Sequence, residues 1–242
     1  HLLDDLKMSI KVSDLSWIGF DSNRMGSFFD KMEIRALKER LKSLPQSSGS
    51  VAPEIEIVVS DRSSEQVTSL LKNHTDSIAI SFDFIDNSLQ GYAVALDENK
   101  IYYVRESKIG DWISNSKLPK IVHSAKSLIK KLTINGLVAD VELLAYLVNP
   151  GGRNLELSDL VERRLGITPS SSDLFSQFDP RSAAWIFSLH KELANEIASK
   201  GMSDLYTHLE QPTLLLLGQM ELLGIAVDQP KLRQLSDHFT KI

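Results

Sequence analysis

The sequence predicts an α/β fold in which a mixed sheet is flanked by helices, with further helical segments at both ends of the chain. Three observations support this fold class. Apolar and polar residues alternate across Ser77–Val104, which is typical of strands that bury one face. A strand-like run and an amphipathic helical pattern precede this stretch, at Glu54–Ser60 and Ser63–Asn73. After it, short apolar runs alternate with helical patterns, as expected for strands and helices of one α/β domain.

The stretch Ser77–Val104 predicts a three-stranded antiparallel meander. In its first strand, apolar residues at even positions alternate with small or acidic residues at odd positions as far as Asp83. We therefore expect Asp83 at the end of this strand, facing a cleft or solvent. Polar residues at Asp86–Ser88 and Asp97–Asn99 predict the two turns. The second and third strands are expected at Gly91–Leu96 and Lys100–Val104.

The later elements follow from helical periodicity and from residues that begin or end helices. Asp140 and Ser158 are expected to cap the first turns of helices, and Gly166 and Gly201 to follow the last turns. Strands are predicted at Lys120–His123 and Val138–Ala139, a short turn at Asp111–Ser114, and helices at Ala125–Leu132, Val141–Val148, Leu155–Leu165 and Arg181–Ser199.

The C-terminal part predicts a long helix at Asp204–Leu223 that Pro212 kinks or divides, because proline lacks the N–H of a helical hydrogen bond. Gly224 is expected to end this helix. Asp228 then predicts the N-cap of a final helix, with Pro230 in its first turn.

Composition limits the classes of protein that fit. A 42% hydrophobic content over 242 residues is enough for a substantial core. The net charge of −5 provides no overall basic signature for nucleic acid. The absence of cysteine excludes disulfides and thiolate metal sites and fits a reducing, cytoplasmic setting. No apolar run is long enough to cross a membrane, and the start at His1 leads us to expect part of a longer protein.

Three stretches together resemble the bacterial DNA polymerase I family (family A), in the form found in high-GC Gram-positive bacteria. SFFDKMEIRALKERL resembles the closing helix of that family's 5′-nuclease domain. The meander, SIAISFDFIDNSLQGYAVALDENKIYYV, resembles the start of its 3′–5′ exonuclease domain, which has a ribonuclease H-like fold. EQPTLLLLGQMELLGIAVD resembles the entry into the polymerase thumb.

This resemblance implies a division of the chain into four parts. Residues 1–44 would be the C-terminal helical tail of the 5′-nuclease domain. Residues 45–53, PQSSGSVAP, are a flexible linker by composition, being rich in Ser, Gly and Pro. Residues 54–202 would form the 3′–5′ exonuclease-like domain, and residues 203–242 the start of the thumb region.

In that family, the first strand of the exonuclease domain ends in Asp-x-Glu, and both carboxylates help to hold two divalent metal ions. The resemblance places Asp83 at the aspartate and Ile85 at the glutamate. Asp86 does not replace the glutamate, because an odd offset along a strand turns its side chain to the other face. Only a one-residue bulge would bring Asp86 to the same face as Asp83.

The second and third motifs of the family also lack their charged residues here. In KIVHSAKSLIKKL, Leu128 stands at the metal-binding aspartate. In the third motif, Phe178 stands at the tyrosine that orients the attacking water, and Ser182 at the last aspartate. Magnesium and manganese prefer oxygen-rich, usually carboxylate-containing shells. We therefore expect an exonuclease fold without its chemistry, and assign no catalytic, metal-binding or cofactor-binding residue.

The resemblance implies that the parent protein is a DNA-directed DNA polymerase of replication and repair. It would bind DNA and use magnesium as its cofactor. We expect it to be cytoplasmic and monomeric. Its polymerase residues would lie outside this chain, so the 242 residues would act as a scaffold between the nuclease and polymerase parts. This fragment alone is then expected to have no activity.

Two alternatives remain open. One is an active metal-dependent 3′–5′ exonuclease in which Asp83, Asp86, Asp140 and Asp179 gather around metal ions. Asp140 and Asp179 are, however, typical of a helix cap and a turn. The other alternative is an unrelated α/β module that binds a protein partner. Several basic residues could contact phosphates, although solvated helix faces commonly contain such charges. These residues are Lys120, Lys126, Lys130, Lys131, Arg163 and Arg164.

Overall fold

The computed structural model describes residues 57–152, 154–167, 169 and 178–240, together with Met25, Phe28, Phe29 and Met32. By its internal contacts the chain divides into two units: His1–Glu56 with Ser158–Ser170, and Ile57–Leu157 with Ser171–Ile242. The predicted linker at residues 45–53 lies outside the described residues. The domain limits inferred from the sequence therefore stay predictions.

The second unit contains a six-stranded mixed sheet, as the sequence predicts. Its strands are β1 (Val58–Asp61), β2 (Ile78–Ile85), β3 (Ser88–Ala95), β4 (Lys100–Val104), β5 (Lys120–Val122) and β6 (Leu137–Asp140). They lie in the order β1-β4-β3-β2-β5-β6. The meander β2-β3-β4 is antiparallel, whereas β1 joins β4, and β5 joins β2 and β6, in parallel. The predicted meander is thus confirmed as the centre of the sheet.

The helices follow the predicted order with some changes of boundary. They are α1 (Ser64–Leu71), α2 (Ala125–Ile129), α3 (Val141–Val148), α4 (Leu157–Leu160), α5 (Ser182–Ser199), α6 (Gln211–Leu223) and α7 (Gln229–Thr240). A short 3-10 helix occupies Asp111–Ser114. Helix α1 begins with a capping box in which Ser63 and Gln66 each accept the other's backbone N–H.

The period of two in β2 separates two differently covered faces of the sheet. Ile78 and Ile80 point into an apolar cluster with Tyr92, Val94 and residues of α1 and α2. The odd-numbered residues of β2 face the other way. Helix α5 lies along that second face, where it contacts β2, β3, β4 and β5. The face that contains Asp83 is therefore covered by α5 over part of its length.

The first hairpin differs from the prediction at its turn. Strand β2 continues through Asp83 to Ile85, and only Asp86 and Asn87 form the turn, with φ of 47° and 66°. A two-residue hairpin turn of this kind requires positive φ at both positions, which Asp and Asn tolerate better than most residues. Asp83 is therefore two residues short of the strand end, and the expected placement at the end is wrong.

A bulge does occur in this hairpin, but on the other strand. Asp83 pairs with Gly91, whereas Phe84 pairs with Leu89, so Gln90 is the extra residue on β3. The side-chain alternation of β2 itself is unchanged. Asp86 consequently does not reach the face of Asp83.

The C-terminal helices confirm the expected break near Pro212. A helical turn at Ser203–Leu205 passes into a π-helical turn at Tyr206–Glu210, and α6 begins at Gln211 with Pro212 in its first turn. The interruption thus precedes the proline, whose missing N–H is tolerated in a first turn. Helix α7 is capped as predicted, because the Lys231 N–H donates to Asp228 Oδ1 at 3.0 Å.

In the first unit, most of the described residues are helical. Phe28 and Phe29 lie in a helix, and the Met32 N–H donates to the Phe28 carbonyl at 3.0 Å. Helix α4 passes into a π-helical turn at Val161–Leu165 and ends at Gly166, which has φ of 68°. Ser158 lies inside α4, so the predicted N-cap at this residue is wrong, whereas the predicted helix end at Gly166 is confirmed.

Candidate functional site

The candidate site lies around Asp83, on the sheet face that α5 covers. Its partner across the hairpin is Gly91. A Cβ at Gly91 would lie only 2.6 Å from the Val104 carbonyl and 3.5 Å from the Tyr103 ring. Only glycine therefore allows β3 and β4 to approach this closely, and the Tyr103 ring comes to lie next to Asp83.

The Asp83 carboxylate is half-buried. Partial burial raises its pKa, because removing a carboxylate from water disfavours the charged form. Within the described part of the chain, no hydrogen bond or ion pair to the Asp83 side chain is present. Nothing in its described surroundings therefore neutralises the charge of this carboxylate.

Aromatic rings line the site beside Asp83. The ring centroids of Tyr103 and Phe178 are 5.7 Å apart, and the Arg105 guanidinium lies 4.8 Å from the Tyr103 ring centre. Burial raises the pKa of the Tyr103 hydroxyl; Arg105 lowers it, while Asp83 and Asp61 raise it further. Phe178, at the position of the family's tyrosine, thus packs on a ring and has no hydroxyl to orient a water.

Ser182 connects the first turn of α5 to the sheet. Its hydroxyl donates to the Asp179 carbonyl and forms a 2.8 Å hydrogen bond with the Ser81 hydroxyl. Ser81 is on the same face as Asp83, two residues before it in β2. Ser182 therefore contacts the sheet face of Asp83 through Ser81, and Phe178 packs on Tyr103 of the same face.

Ile85 and Leu128 do not complete a set of metal ligands. Ile85 shares the face of Asp83, but its side chain is 59% exposed beyond the end of the covered region. Leu128 packs against the apolar cluster whose strand residues lie on the opposite face. Neither side chain has an oxygen to offer a cation. The residues that the resemblance places at the ligand positions thus do not fit a pair of magnesium ions.

The other aspartates have local partners that explain them. Asp179 accepts the Arg181 N–H at 2.9 Å and pairs with the Arg181 guanidinium at 2.6 Å. Asp86 lies in the hairpin turn. Asp140 is buried and caps α3 through the Glu142 N–H, as predicted. In the ranges that the structure describes, no group of three His, Asp or Glu residues could hold a metal ion.

The Asp140 carboxylate is buried and accepts three backbone hydrogen bonds. Its oxygens accept the N–H groups of Ser124 at 3.0 Å, Ala125 at 2.9 Å and Glu142 at 3.0 Å. Burial raises the pKa of this carboxyl. The N–H donors of Ala125 and Glu142 and the nearby His123 oppose this effect, since each of them lowers the pKa. Asp140 therefore caps two helices at once, and its oxygens are engaged by backbone donors.

The basic residues considered as phosphate contacts have other roles in the described part of the molecule. Lys126 and Lys130 pair with Glu221 of α6, and Lys131 lies 4.4 Å from the ring centre of Phe84. Lys120 is buried, and its ammonium donates to three backbone carbonyls. Burial therefore makes Lys120 inaccessible to a phosphate, and Lys126 and Lys130 are neutralised by a carboxylate, whereas Lys131 stays exposed.

Sequence reasoning missed the aromatic lining of the site. Tyr103 alternates with Tyr102 in β4, and this pattern alone does not reveal which tyrosine shares the face of Asp83. The register decides it, because Tyr103 pairs with Ala93, and Ala93 pairs with Ser81. The signal would have been available only if the pairing of all three strands had been known.

Comparisons with known proteins agree with this geometry. No protein-family model matches the chain. Over 98% of its length it is 24% identical to DNA polymerase I of Bacillus subtilis and 25% identical to DNA polymerase I of Mycobacterium tuberculosis. In each case the chain spans about 30% of the length of the relative. The match along nearly the whole chain counts against an accidental resemblance.

Solved structures share the fold of this chain. The POL domain of Pol1 from M. smegmatis, in complex with DNA primer-template and dNTP, matches with a TM-score of 0.63 and 25% identity, covering 73% of this chain and 34% of that one. NrnC from Brucella melitensis matches with a TM-score of 0.54 and 14% identity, covering 72% of this chain and 98% of that one. The catalytic core of RRP6 from Trypanosoma brucei matches with a TM-score of 0.51, 14% identity, and cover of 66% and 52%.

The mixed sheet, its order and its flanking helices define a ribonuclease H-like 3′–5′ exonuclease fold. Within that class, the sequence matches identify the relatives of this chain as bacterial DNA polymerases I, and the predicted resemblance is confirmed. Among the residues that the structure describes, no helix is long and apolar enough to cross a membrane.

Proposed function

We propose that this chain is part of a DNA polymerase I and acts there as a catalytically inactive 3′–5′ exonuclease-like scaffold. The single observation that supports inactivity is the composition of the site around Asp83. Of the four positions at which the family holds metal ions, only Asp83 is a carboxylate, and the other three are Ile85, Leu128 and Ser182. One carboxylate does not balance the charge of two divalent cations.

The packing of Ser182 supports a structural use of the former ligand position. An aspartate there would add a second carboxylate beside Asp83, and without metal ions the two would repel each other. The serine hydroxyl instead connects α5 to β2 through Ser81. A neutral hydrogen bond thus occupies a place where the active family members need a cation.

The contact between α2 and α6 supports the scaffold role. Gly218 of α6 is buried against Ile129 of α2, so closely that a Cβ would lie 2.1 Å from Ile129 Cδ1. On the same side, Lys126 and Lys130 pair with Glu221, which lowers the pKa of that carboxyl. The exonuclease-like domain therefore provides a fitted surface for α6, a helix of the proposed thumb region.

The test of inactivity is degradation of a 3′-labelled single-stranded oligonucleotide in magnesium or manganese. We expect none above the background of the Asp83→Ala variant, at protein concentrations where circular dichroism shows both proteins to be folded. Cation-dependent degradation that Asp83→Ala abolishes would refute the proposal and would support the active exonuclease instead.

A second variant tests whether the missing carboxylates are the reason that the site does not bind a cation. The double substitution Ile85→Glu and Ser182→Asp restores two of the missing carboxylates on the sheet face of Asp83. Manganese is then expected to raise the Tm of the variant by several degrees, because a cation that binds only the folded state stabilises it. The unaltered protein should show no such rise. An equal rise in both would mean that the unaltered site already binds the cation.

The activity of the whole protein is part of the proposal. The parent would be a DNA-directed DNA polymerase of replication and repair that uses magnesium, binds DNA and works as a cytoplasmic monomer. Its relatives are named DNA polymerase I, and the matched M. smegmatis structure contains a DNA primer-template and dNTP. Primer extension by the full-length protein, with this chain present or deleted, would test whether the scaffold is needed for synthesis.

A further inference from the structure

The segment from Tyr206 to Leu223 is attached to one edge of the sheet by two hydrogen bonds. The Asp140 N–H donates to the Tyr206 hydroxyl at 2.9 Å, and the Gln211 amide donates to the Leu137 carbonyl at 2.7 Å. Both sheet groups belong to β6, the last strand in the order. An edge strand has backbone groups without a strand partner, so side chains of this segment satisfy two of them.

Tyr206 is well placed for such a role. It is buried, with 6% of its surface exposed, although its neighbours in the π-helical turn are mostly exposed. Burial raises the pKa of its hydroxyl far above the ordinary range, so the group stays neutral at any physiological pH. Single π-helical turns inside α-helices are frequent at functional positions. Here the turn directs one tyrosine of the helix onto the sheet.

Asp140 connects this contact to α2. Its backbone N–H binds Tyr206, while its carboxylate accepts the N–H groups of Ser124 and Ala125 at the start of α2. Helix α2 in turn packs against α6 at Gly218. Strand β6, helix α2 and helix α6 thus form a closed set of contacts with Asp140 at its centre.

These contacts stop abruptly at the end of α6. Gly224 follows with φ of 68° and ψ of −173°, a conformation essentially restricted to glycine. From residue 225 to residue 240, all side chains are exposed. The described contacts of the segment with the sheet unit therefore end before Gly224, and α7 has none of this kind.

We propose that Tyr206 and Asp140 form a latch that holds the segment Tyr206–Leu223 on strand β6, and that Gly224 is the joint beyond it. The latch sets the direction in which the chain leaves the exonuclease-like domain. This inference rests on the scaffold role proposed above, but it concerns a separate set of residues. A nuclease assay does not test it, and its own test does not depend on inactivity.

The first experiment compares hydrogen exchange of Tyr206→Phe with that of the matched control Tyr146→Phe, which removes a hydroxyl from a 46% exposed tyrosine of α3. The phenylalanine keeps the ring but leaves the buried Asp140 N–H without its acceptor. We expect the amides of α6 to exchange about tenfold faster, a factor typical of one lost buried hydrogen bond. Amides of α1 that open locally without breaking this bond should change much less, whereas amides of β2 and β3 should also exchange faster, because global unfolding breaks the bond too.

The second experiment measures the position of the segment directly. The chain has no cysteine, so the pair Lys72→Cys and Gln219→Cys can be spin-labelled without background. Both positions are exposed, one after α1 and one on α6. We expect a narrow distance distribution in the parent protein and in Tyr146→Phe, and a broader one in Tyr206→Phe.

Two results would overturn the latch. One is an unchanged rate of exchange in α6, which would mean that α6 opens without breaking the Tyr206 hydrogen bond. The other is an unchanged distance distribution in Tyr206→Phe, which would mean that the packing of Gly218 positions α6 without the hydrogen bond. Either result would leave the proposed inactivity at Asp83 untouched.

Discussion

The buried lysine at the start of β5 leads to a prediction with an unusual sign. Lys120 is fully buried, and its ammonium donates to the carbonyls of Asn115 at 2.7 Å, Leu118 at 3.0 Å and Asn135 at 2.7 Å. Burial lowers the pKa of Lys120 to about 8, because the charged form is removed from water. The perturbation is Lys120→Met, which keeps a similar length and removes the charge.

The magnitude follows from proton linkage. Below pH 8 the lysine is protonated in both the folded and the unfolded state. Between pH 8 and its ordinary pKa of 10.5, the unfolded state holds a proton that the folded state has released. Stability rises with pH wherever the unfolded state binds more protons. Between pH 7 and pH 9, the free energy of unfolding of the parent protein should therefore rise by about 1 kcal/mol relative to Lys120→Met.

The assay is urea unfolding, followed by tryptophan fluorescence, of the parent and Lys120→Met at pH 7 and pH 9. Lys117→Met removes an exposed positive charge from the same loop and controls for net charge. A difference between parent and Lys120→Met that stays constant with pH, or that shrinks at pH 9, would refute the reasoning. Either result would mean that burial does not lower the pKa of Lys120.

Three further predictions concern the site and its supports. Asp140→Asn should lower the free energy of unfolding by about 3 kcal/mol in urea titration, because one amide oxygen does not replace two charged oxygens that accept three N–H groups. The control is the exposed Asp86→Asn, which should change the free energy of unfolding by less than about 0.5 kcal/mol. Gly218→Val should lower it by about 2 kcal/mol through overpacking, with the exposed Gln219→Val as the matched control. Ser182→Ala should cost about 1 kcal/mol, and this loss should be the same with and without magnesium in thermal melts. A magnesium-dependent loss would show that the Ser182 hydroxyl contributes to a cation site.

Much of the architecture was predictable because its signals are local. The N-caps at Asp140 and Asp228 and the helix end at Gly166 are each recognisable from a few neighbouring residues. The alternation in β2 likewise separates the two faces correctly. Local hydrogen bonds and side-chain periodicity are properties of short stretches of chain, so sequence reasoning recognises them.

The errors arose where pairing between distant residues decides the geometry. Ser158 has the chemistry of a cap, yet α4 begins at Leu157. Asp83 was expected at a strand end because polar residues follow it, but the turn at Asp86 and Asn87 allows the hairpin to continue past it. Lys120 resembled one more surface lysine, and only folding brings three carbonyls around it.

The sequence by itself determined which side chains are available: one carboxylate instead of four at the family's metal positions, and the apolar pattern that forms the sheet. Only the tertiary structure decided how those side chains are used. Ser182 forms a hydrogen bond with Ser81, and Phe178 packs on the ring of Tyr103. Asp140 connects Tyr206 to α2 through hydrogen bonds. The reason is physical, because hydrogen bonds and ring contacts act over a few ångströms, and residues far apart in the chain come within that range only when the strands are in register.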